Sequence, residues 1–271
     1  MQNDSLSGVR VLVTRPAHQA QPLCDMLAAK GGIAIKFPVM EIEPLSLSGK
    51  MLELVENLDA ADIAVFISPN AVEQGIARIL AHGEIPDKLK LAAIGKASAQ
   101  KIQELIGRLP DIYPGGHYNS EALLALESLQ EKAVNKKSII IFRGRNGREL
   151  LAATLRQRGA KVDYVEVYQR KKPDVELAVL DTVWGSTIKD KAPDIITATS
   201  NEGLMNLISM LGDSRYKTQL MQTPLVVVTE KMHLNAQNLG FENAIIVASK
   251  ASNNALLEAV EQWKSHKKAH K

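Results

Sequence analysis

The chain of 271 residues has a single cysteine, Cys24, and an aromatic content of only 4%. One cysteine rules out a disulfide scaffold and a cysteine metal centre, and the apolar helical pattern around Cys24 marks it as a buried structural thiol. The scarcity of aromatics disfavours a base-stacking platform, so nucleic acid is not an expected partner. No run of 18 or more apolar residues occurs, which leaves no candidate membrane helix. The opening "MQNDSLSGVR" lacks the basic and apolar regions of a signal peptide, and the protein is read as cytoplasmic. The phosphate-loop patterns G-x-G-x-x-G and G-x-x-x-x-G-K-[ST] are missing, as are H-E-x-x-H and the G-x-S-x-G elbow. His266 and His270 have i,i+4 spacing, but no acidic residues are paired around any histidine, so no metal is expected.

What is present is ordinary in bulk and unusual in order. Apolar residues make up 45% and charged residues 23% of the chain, and the formal charge is +3 with much of the excess in "KSHKKAHK" (Lys264 to Lys271), read as a frayed, solvated end. A chain of this length buries roughly 75% of its unfolded surface and sits where single cores divide, which favours two domains.

The sequence is written twice. "VLVTRPAHQAQPLCDMLAAKGG" and "IIIFRGRNGRELLAATLRQRGA" superpose with Arg15 on Arg143, Leu23 on Leu151, Leu27 on Leu155 and Gly31 on Gly159, at an offset of 128. "DIAVFISPNAV" from Asp62 resembles "DIITATSNEGL" from Asp194 at an offset of 132, and "SEALLALE" from Ser120 resembles "NNALLEAVE" from Asn253 at 133. The common order and nearly fixed offset point to duplication. Each half alternates short β-rich runs with helical segments, which predicts α/β lobes with parallel sheets flanked by helices.

The predicted strands are Val9 to Thr14, Ile63 to Ile67, Leu91 to Ile94, Ile139 to Phe142, Ile195 to Thr199 and Leu225 to Thr229. Asn146 with Glu149, and Thr199 with Glu202, have capping-box spacing; Ser68 before Pro69 reads as a helix cap with proline at the first position. Gly31 and Gly159 stand where left-handed helix ends are expected. "FPVMEIEPL" and "YVEVYQRKKP" break the alternation, each extended and each ending at a proline. They read as two hinge strands, 37–45 and 164–173, joining a discontinuous first lobe (1–36 with 174–271) to an inserted second lobe (46–163). A cleft at that hinge is the expected ligand site.

The strand ends share one chemistry. Thr14 and Arg15; Ser68 and Asn70; Gly95, Lys96 and Ser98; Arg143 and Gly144; Thr199 and Ser200; and Thr229 and Lys231 all follow predicted strands. Ligands of parallel sheets bind at the carboxyl ends of strands, where small hydroxyl residues and backbone N–H groups at helix starts are anion donors. Each hydroxyl taken alone is also a plain helix cap, and each arginine also reads as structural or solvent-facing. Together they make a polyanion-binding surface built mostly of neutral donors, with Arg145 and Arg148 facing solvent.

In order along nearly the whole chain, "VLVTRP", "FPVMEIEP", "SPNAV", "AIGKASA", "RGRNGRELLAATLRQRGAKVDYVEVYQR", "TSNEGL" and "LLEAV" resemble the uroporphyrinogen-III synthase family. One departure is Ile67 before Ser68, where the family has Thr-Ser. The resemblance implies two α/β lobes on a two-stranded hinge, no cofactor and no metal. It also implies a substrate, the linear tetrapyrrole hydroxymethylbilane with eight carboxylates, closed to uroporphyrinogen III with loss of water and inversion of the last ring in heme biosynthesis. The expected assembly is a monomer with no partner beyond that small molecule, apart from a transient contact with the preceding pathway enzyme. Tyr168 in "EVYQR" matches the tyrosine that the family places at the cleft; a phenol, with an ordinary pKa of about 10, is protonated at neutral pH and suits either a general acid for the departing hydroxyl or an orienting group. The competing reading of the residues is a two-lobed cytosolic binding module for a small polyanion.

Overall fold

The structure, a computed structural model, describes residues 4–185, 192–212 and 216–269. The chain packs into two compact units, residues 1–41 with 171–271 and residues 42–170. Ten strands are present among the described residues: β1 (Arg10–Val13), β2 (Ile33–Lys36), β3 (Glu41–Pro44), β4 (Ile63–Phe66), β5 (Lys90–Ala93), β6 (Ser138–Gly144), β7 (Lys161–Lys171), β8 (Ile195–Thr197), β9 (Leu225–Val227) and β10 (Ile245–Val247). The first unit holds a sheet in the order β10-β9-β8-β1-β2, and the second a sheet in the order β3-β7-β6-β4-β5.

Both sheets are buried on their two faces, because parallel strands must be joined by helices that cross over them. Along β1, Leu12 joins one apolar cluster with Leu204 and Met232, while Val11 and Val13 join another with Leu23 and Leu256. Along β4 and β6, Phe66 and Phe142 face the helix Pro69–His82, and Ile63 and Ile139 face Leu151 and Leu155 of the helix Leu150–Gln157. Near-continuous Val/Ile/Leu runs therefore take strand form here, with alternate residues serving opposite layers.

The duplication extends to register. Arg10 pairs with Ile33 across β1 and β2, and Ser138 with Lys161 across β6 and β7, both positions related by the offset of 128. Val11 pairs with Ile195, and Ile139 with Ile63, positions related by offsets of 128 and 132. Even Ile112, bridged to Ala92 beside β5, matches Ile245 beside β9. An aspartate locks each copy at the amino end of its sheet: Asp62 accepts the backbone N–H of Ser138 at 2.8 Å, and Asp194 that of Arg10 at 2.9 Å.

Several expectations change. All six predicted strands form, but β2 and β10 went unforeseen; both lie at sheet edges, are four and three residues long, and have no fully buried residue to mark them. The two segments read as hinge strands contain β3 and most of β7, which lie side by side in the second unit's sheet. Asn146 and Glu149 do not form a capping box: Asn146 has φ 61°, and the helix starts at Leu150 without a side-chain cap. At Thr199 the cap moves one residue, to Ser200, whose Oγ accepts from Gly203 N at 2.9 Å. The basic end is helical through Ala269, since the helix Asn253–Ala269 seats Leu256, Val260 and Trp263 in the core; residues 270 and 271, including His270, lie outside the described residues. Ser68 caps its helix with Pro69 following, Gly31 and Gly159 have φ 75° and 81°, and Cys24 is buried with its thiol pKa raised by desolvation, all as read from sequence.

The aspartate lock yields a prediction. The Ser138 N–H, followed by Lys137, holds the Asp62 carboxyl below its ordinary pKa, so its stabilisation is present above the unfolded value and is lost as pH falls through the lower folded one. Discounted for solvent exposure, Asp62→Asn should cost about 1 kcal/mol and lower Tm by roughly 2–4 °C at neutral pH. The gap from wild type in thermal melts should hold from pH 7 to about 5 and close below about pH 4.

Candidate functional site

In both sheets neighbouring strands send their helices to opposite faces, at β1/β8 in the first unit and at β6/β4 in the second. Such a switch point opens a crevice at the carboxyl ends of the strands. In the second unit, Ser68 closes β4, and its Oγ accepts from Ala71 N at 3.0 Å. The helix it starts lies close to the sheet because Gly75 faces the stacked rings of Phe66 and Phe142, whose centroids are 4.8 Å apart; a Cβ there would come within 2.9 Å of both rings. Asn70 is half-buried in the first turn. Gly95 caps the helix Lys96–Ile106 beneath the ring of Tyr118; Ser98 is buried in that helix and Lys96 is exposed.

The end of β6 is irregular. Arg143 pairs with Glu166 of β7, but Gly144 pairs with Tyr168, skipping Val167. This bulge turns two successive side chains, Val167 and Tyr168, into the same apolar cluster, on the face of the helix that Ser68 caps. Tyr168 lies flat on Gly144, where a Cβ would be 2.6 Å from the ring, and its Oη is 3.1 Å from Ser68 Oγ. The Ser68 oxygen is already accepting from Ala71, so its own hydrogen is available to Tyr168, which leaves the phenolic hydrogen for a third group.

Arg143 is only 5% exposed and points to the opposite face. Its Nη1 donates to Glu149 Oε1 at 2.8 Å, its Nε lies 3.5 Å from Glu166 Oε1, and its guanidinium stacks on the Tyr164 ring at 4.1 Å. Tyr164 Oη donates to Glu149 Oε2 at 2.6 Å, and that bond, then Arg143, holds the Glu149 carboxyl below its ordinary pKa. Burial first, and then Glu149, raise the Tyr164 phenol. The expectation that Arg143 meets a substrate carboxylate does not fit this arrangement, because two internal carboxylates already match its charge. Arg145 and Arg148 are exposed, as expected.

In the first unit Thr14 is buried, and its hydroxyl donates to the Thr197 carbonyl at 2.7 Å, so its proton is spent inside the sheet and is not offered to an anion. Arg15 is half-buried and donates to Asn253 Oδ1. Thr199 is half-buried one residue before the Ser200 cap; Thr229 caps the helix Glu230–Asn238, accepting from Met232 N at 3.2 Å, and Lys231 is exposed in its first turn. The sequence reading missed Tyr118, Tyr164, Glu166 and Asn253. Asn253 alone had a signal, as the first residue of the repeated "NNALLEAVE". A cavity of about 210 Å³ lined by Ser7, Asp194, Trp263 and Lys267 lies at the opposite, amino end of the first sheet. Among the described residues no group of three or more His, Cys, Asp or Glu comes together as metal ligands would, and no helix is long and apolar enough to cross a membrane.

The family model described as uroporphyrinogen-III synthase HemD matches residues 21–258. The chain belongs to the uroporphyrinogen-III synthase family. It is 34% identical over 257 residues to the uroporphyrinogen-III synthase of Salmonella typhimurium, covering 93% of this chain and 99% of that one, and 31% identical over the same shares to that of Escherichia coli K12. Among solved structures, the fold is shared with the Helicobacter pylori uroporphyrinogen-III synthetase (TM-score 0.57, 15% identity, covering 94% of this chain and 99% of that one) and a Thermus thermophilus uroporphyrinogen III synthase mutant (TM-score 0.55, 15% identity, 96% and 100%).

Gly144 tests the seat of Tyr168. Gly144→Ala drives a methyl into the phenol ring, and overpacking of this kind costs about 1–3 kcal/mol. The variant should remain folded at 25 °C by circular dichroism while its turnover falls at least tenfold.

Proposed function

We propose that the chain closes hydroxymethylbilane to uroporphyrinogen III, a cyclising hydro-lyase reaction of tetrapyrrole biosynthesis. The reading includes a cytoplasmic monomer that works without cofactor, metal or nucleic acid. Its substrate carries its own nucleophile, an electron-rich pyrrole, and its own leaving group, a hydroxymethyl; what the protein chiefly has to do is hold a flexible polyanion in the conformation that closes with inversion. Positioning of this kind is a proximity effect worth several kcal/mol. The helix starts at Ser68, Gly95, Ser200 and Thr229 supply donors for the eight carboxylates. At Ser200 and Thr229 the capping hydroxyl accepts from the helix backbone and retains its hydrogen for an anion, while at Ser68 and Gly95 the backbone N–H groups of the first turn are the donors; charge-assisted bonds contribute about 1.5–3 kcal/mol each in favourable cases.

The observation that carries the reading is the chain Ala71 N–H to Ser68 Oγ to Tyr168 Oη. With Ser68 donating to it, the phenol oxygen is polarised towards releasing its own proton. Tyr168 then protonates the departing hydroxyl, the C–O bond breaks, and water leaves an azafulvene cation on the terminal ring. The ring at the opposite end of the chain attacks that azafulvene carbon through its own substituted carbon to give a spiro intermediate, which fragments and recloses inverted. The phenolate recovers the proton released by the closing pyrrole, so no net proton is consumed.

Two measurements test this. Supplied with hydroxymethylbilane, the protein should yield isomer III after oxidation of the product, where spontaneous closure yields isomer I; isomer I alone, even with the ligand bound, would leave only a binding module. Tyr168→Phe should lower turnover tenfold or more with an unchanged melting temperature, and near-normal turnover would remove the acid role.

A further inference from the structure

The two copies of the strand-end arginine sit in different electrostatic surroundings. Around Arg143 the second copy has Glu149, Tyr164 and Glu166. At the offset of 128 the first copy has Gln21, Lys36 and Pro38 in their places. The contact between two of these positions survives: Tyr164 Oη donates to Glu149, and Lys36 Nζ donates to Gln21 Oε1. The geometry is therefore kept while both carboxylates are absent from the first copy and a cation stands where the tyrosine was.

Arg15 thus keeps its charge unmatched. Among the described residues its one hydrogen-bond partner is Asn253, a neutral amide. It is half-buried at the β1/β8 switch point, and burial lowers its pKa, although a guanidinium remains charged at any working pH. A partly desolvated cation with no counter-charge gains more from an arriving anion than an exposed one, and the planar fork of an arginine suits a carboxylate.

We propose that the duplicated arginines have diverged in role, with Arg15 receiving a carboxylate of the substrate and Arg143 serving as a clamp whose anions are the chain's own Glu149 and Glu166. This rests on the reaction proposed above for the choice of substrate, but the asymmetry itself concerns any polycarboxylate that enters the crevice of the first unit.

Asn253 provides the decisive variant. Asn253→Asp leaves Arg15 in place and gives it the counter-charge that Arg143 already has, at a helix start where an aspartate is favourable. Arg15→Gln removes the charge, and Glu149→Gln loosens the clamp of the second copy. For each, KM for hydroxymethylbilane is measured with isomer III as product, together with the Kd for uroporphyrin III, an octacarboxylate, from quenching of its fluorescence, and the melting temperature. Arg15→Gln and Asn253→Asp should each raise KM and Kd about tenfold or more with kcat within threefold and an unchanged melt. Glu149→Gln should lower the melting temperature with KM and Kd within twofold. Unchanged affinity in Asn253→Asp and Arg15→Gln, or a rise in Glu149→Gln equal to theirs, would overturn the assignment. Should wild type make no isomer III, the reaction is wrong, and the uroporphyrin affinities still decide between the two arginines.

Discussion

Every strand of a parallel sheet must be re-entered from the same end, so each return passes over a face as a helix and each helix begins where a strand has just finished. That constraint gathers Ser68, Gly95, Ser200 and Thr229 at the carboxyl ends of the sheets, each at the N-cap of a helix. On the proposed function, a polyanion is held there without a cluster of cationic side chains, because the backbone supplies the donors and the caps orient them. The near-neutral body of the chain and its lack of recognised catalytic motifs are then consistent with a reaction in which the substrate brings the reactive groups.

The duplication divides the work of each sheet between its two ends. At the amino ends the copies remain alike, with Asp62 and Asp194 accepting equivalent N–H groups in equivalent registers. A slip of one residue would move every side chain to the opposite layer, where it meets a different set of partners, so both copies keep this lock. At the carboxyl ends they differ: one copy has an arginine held by carboxylates, the other an arginine beside an amide. Similarity is thus retained where register is set, and difference accumulates at the carboxyl ends, where parallel sheets in general bind their ligands.

This pattern explains what was legible in the sequence. The central strands announce themselves as Val/Ile/Leu runs because both of their faces are buried; at the edges β10 carries that signature over only three residues, and β2, with an alanine and a lysine among its four, carries it weakly. Ser68 was readable as a cap because cap and proline are adjacent in the chain. The surroundings of Arg143 were not, because Tyr164 and Glu166 arrive from the neighbouring strand and Glu149 from beyond a turn with Asn146 at positive φ. Spacing suggested that Glu149 capped a helix, whereas a buried guanidinium had the stronger claim on a carboxylate. Tyr168 came from family resemblance; nothing in the alternation of β7 shows that two successive side chains share a face.

The bulge opposite Gly144 makes the chemistry depend on counting. Side chains on a strand alternate, and Val165 and Tyr168 stand three positions apart, so regular pairing of the same residues would present the phenol to the layer that holds Glu149; the bulge keeps it beside Ser68. Regular pairing would leave the sheet intact and the hydroxyl on the wrong side of it. On the role proposed for Tyr168, the register of this strand beyond Glu166 matters as much as the identity of the residue it delivers.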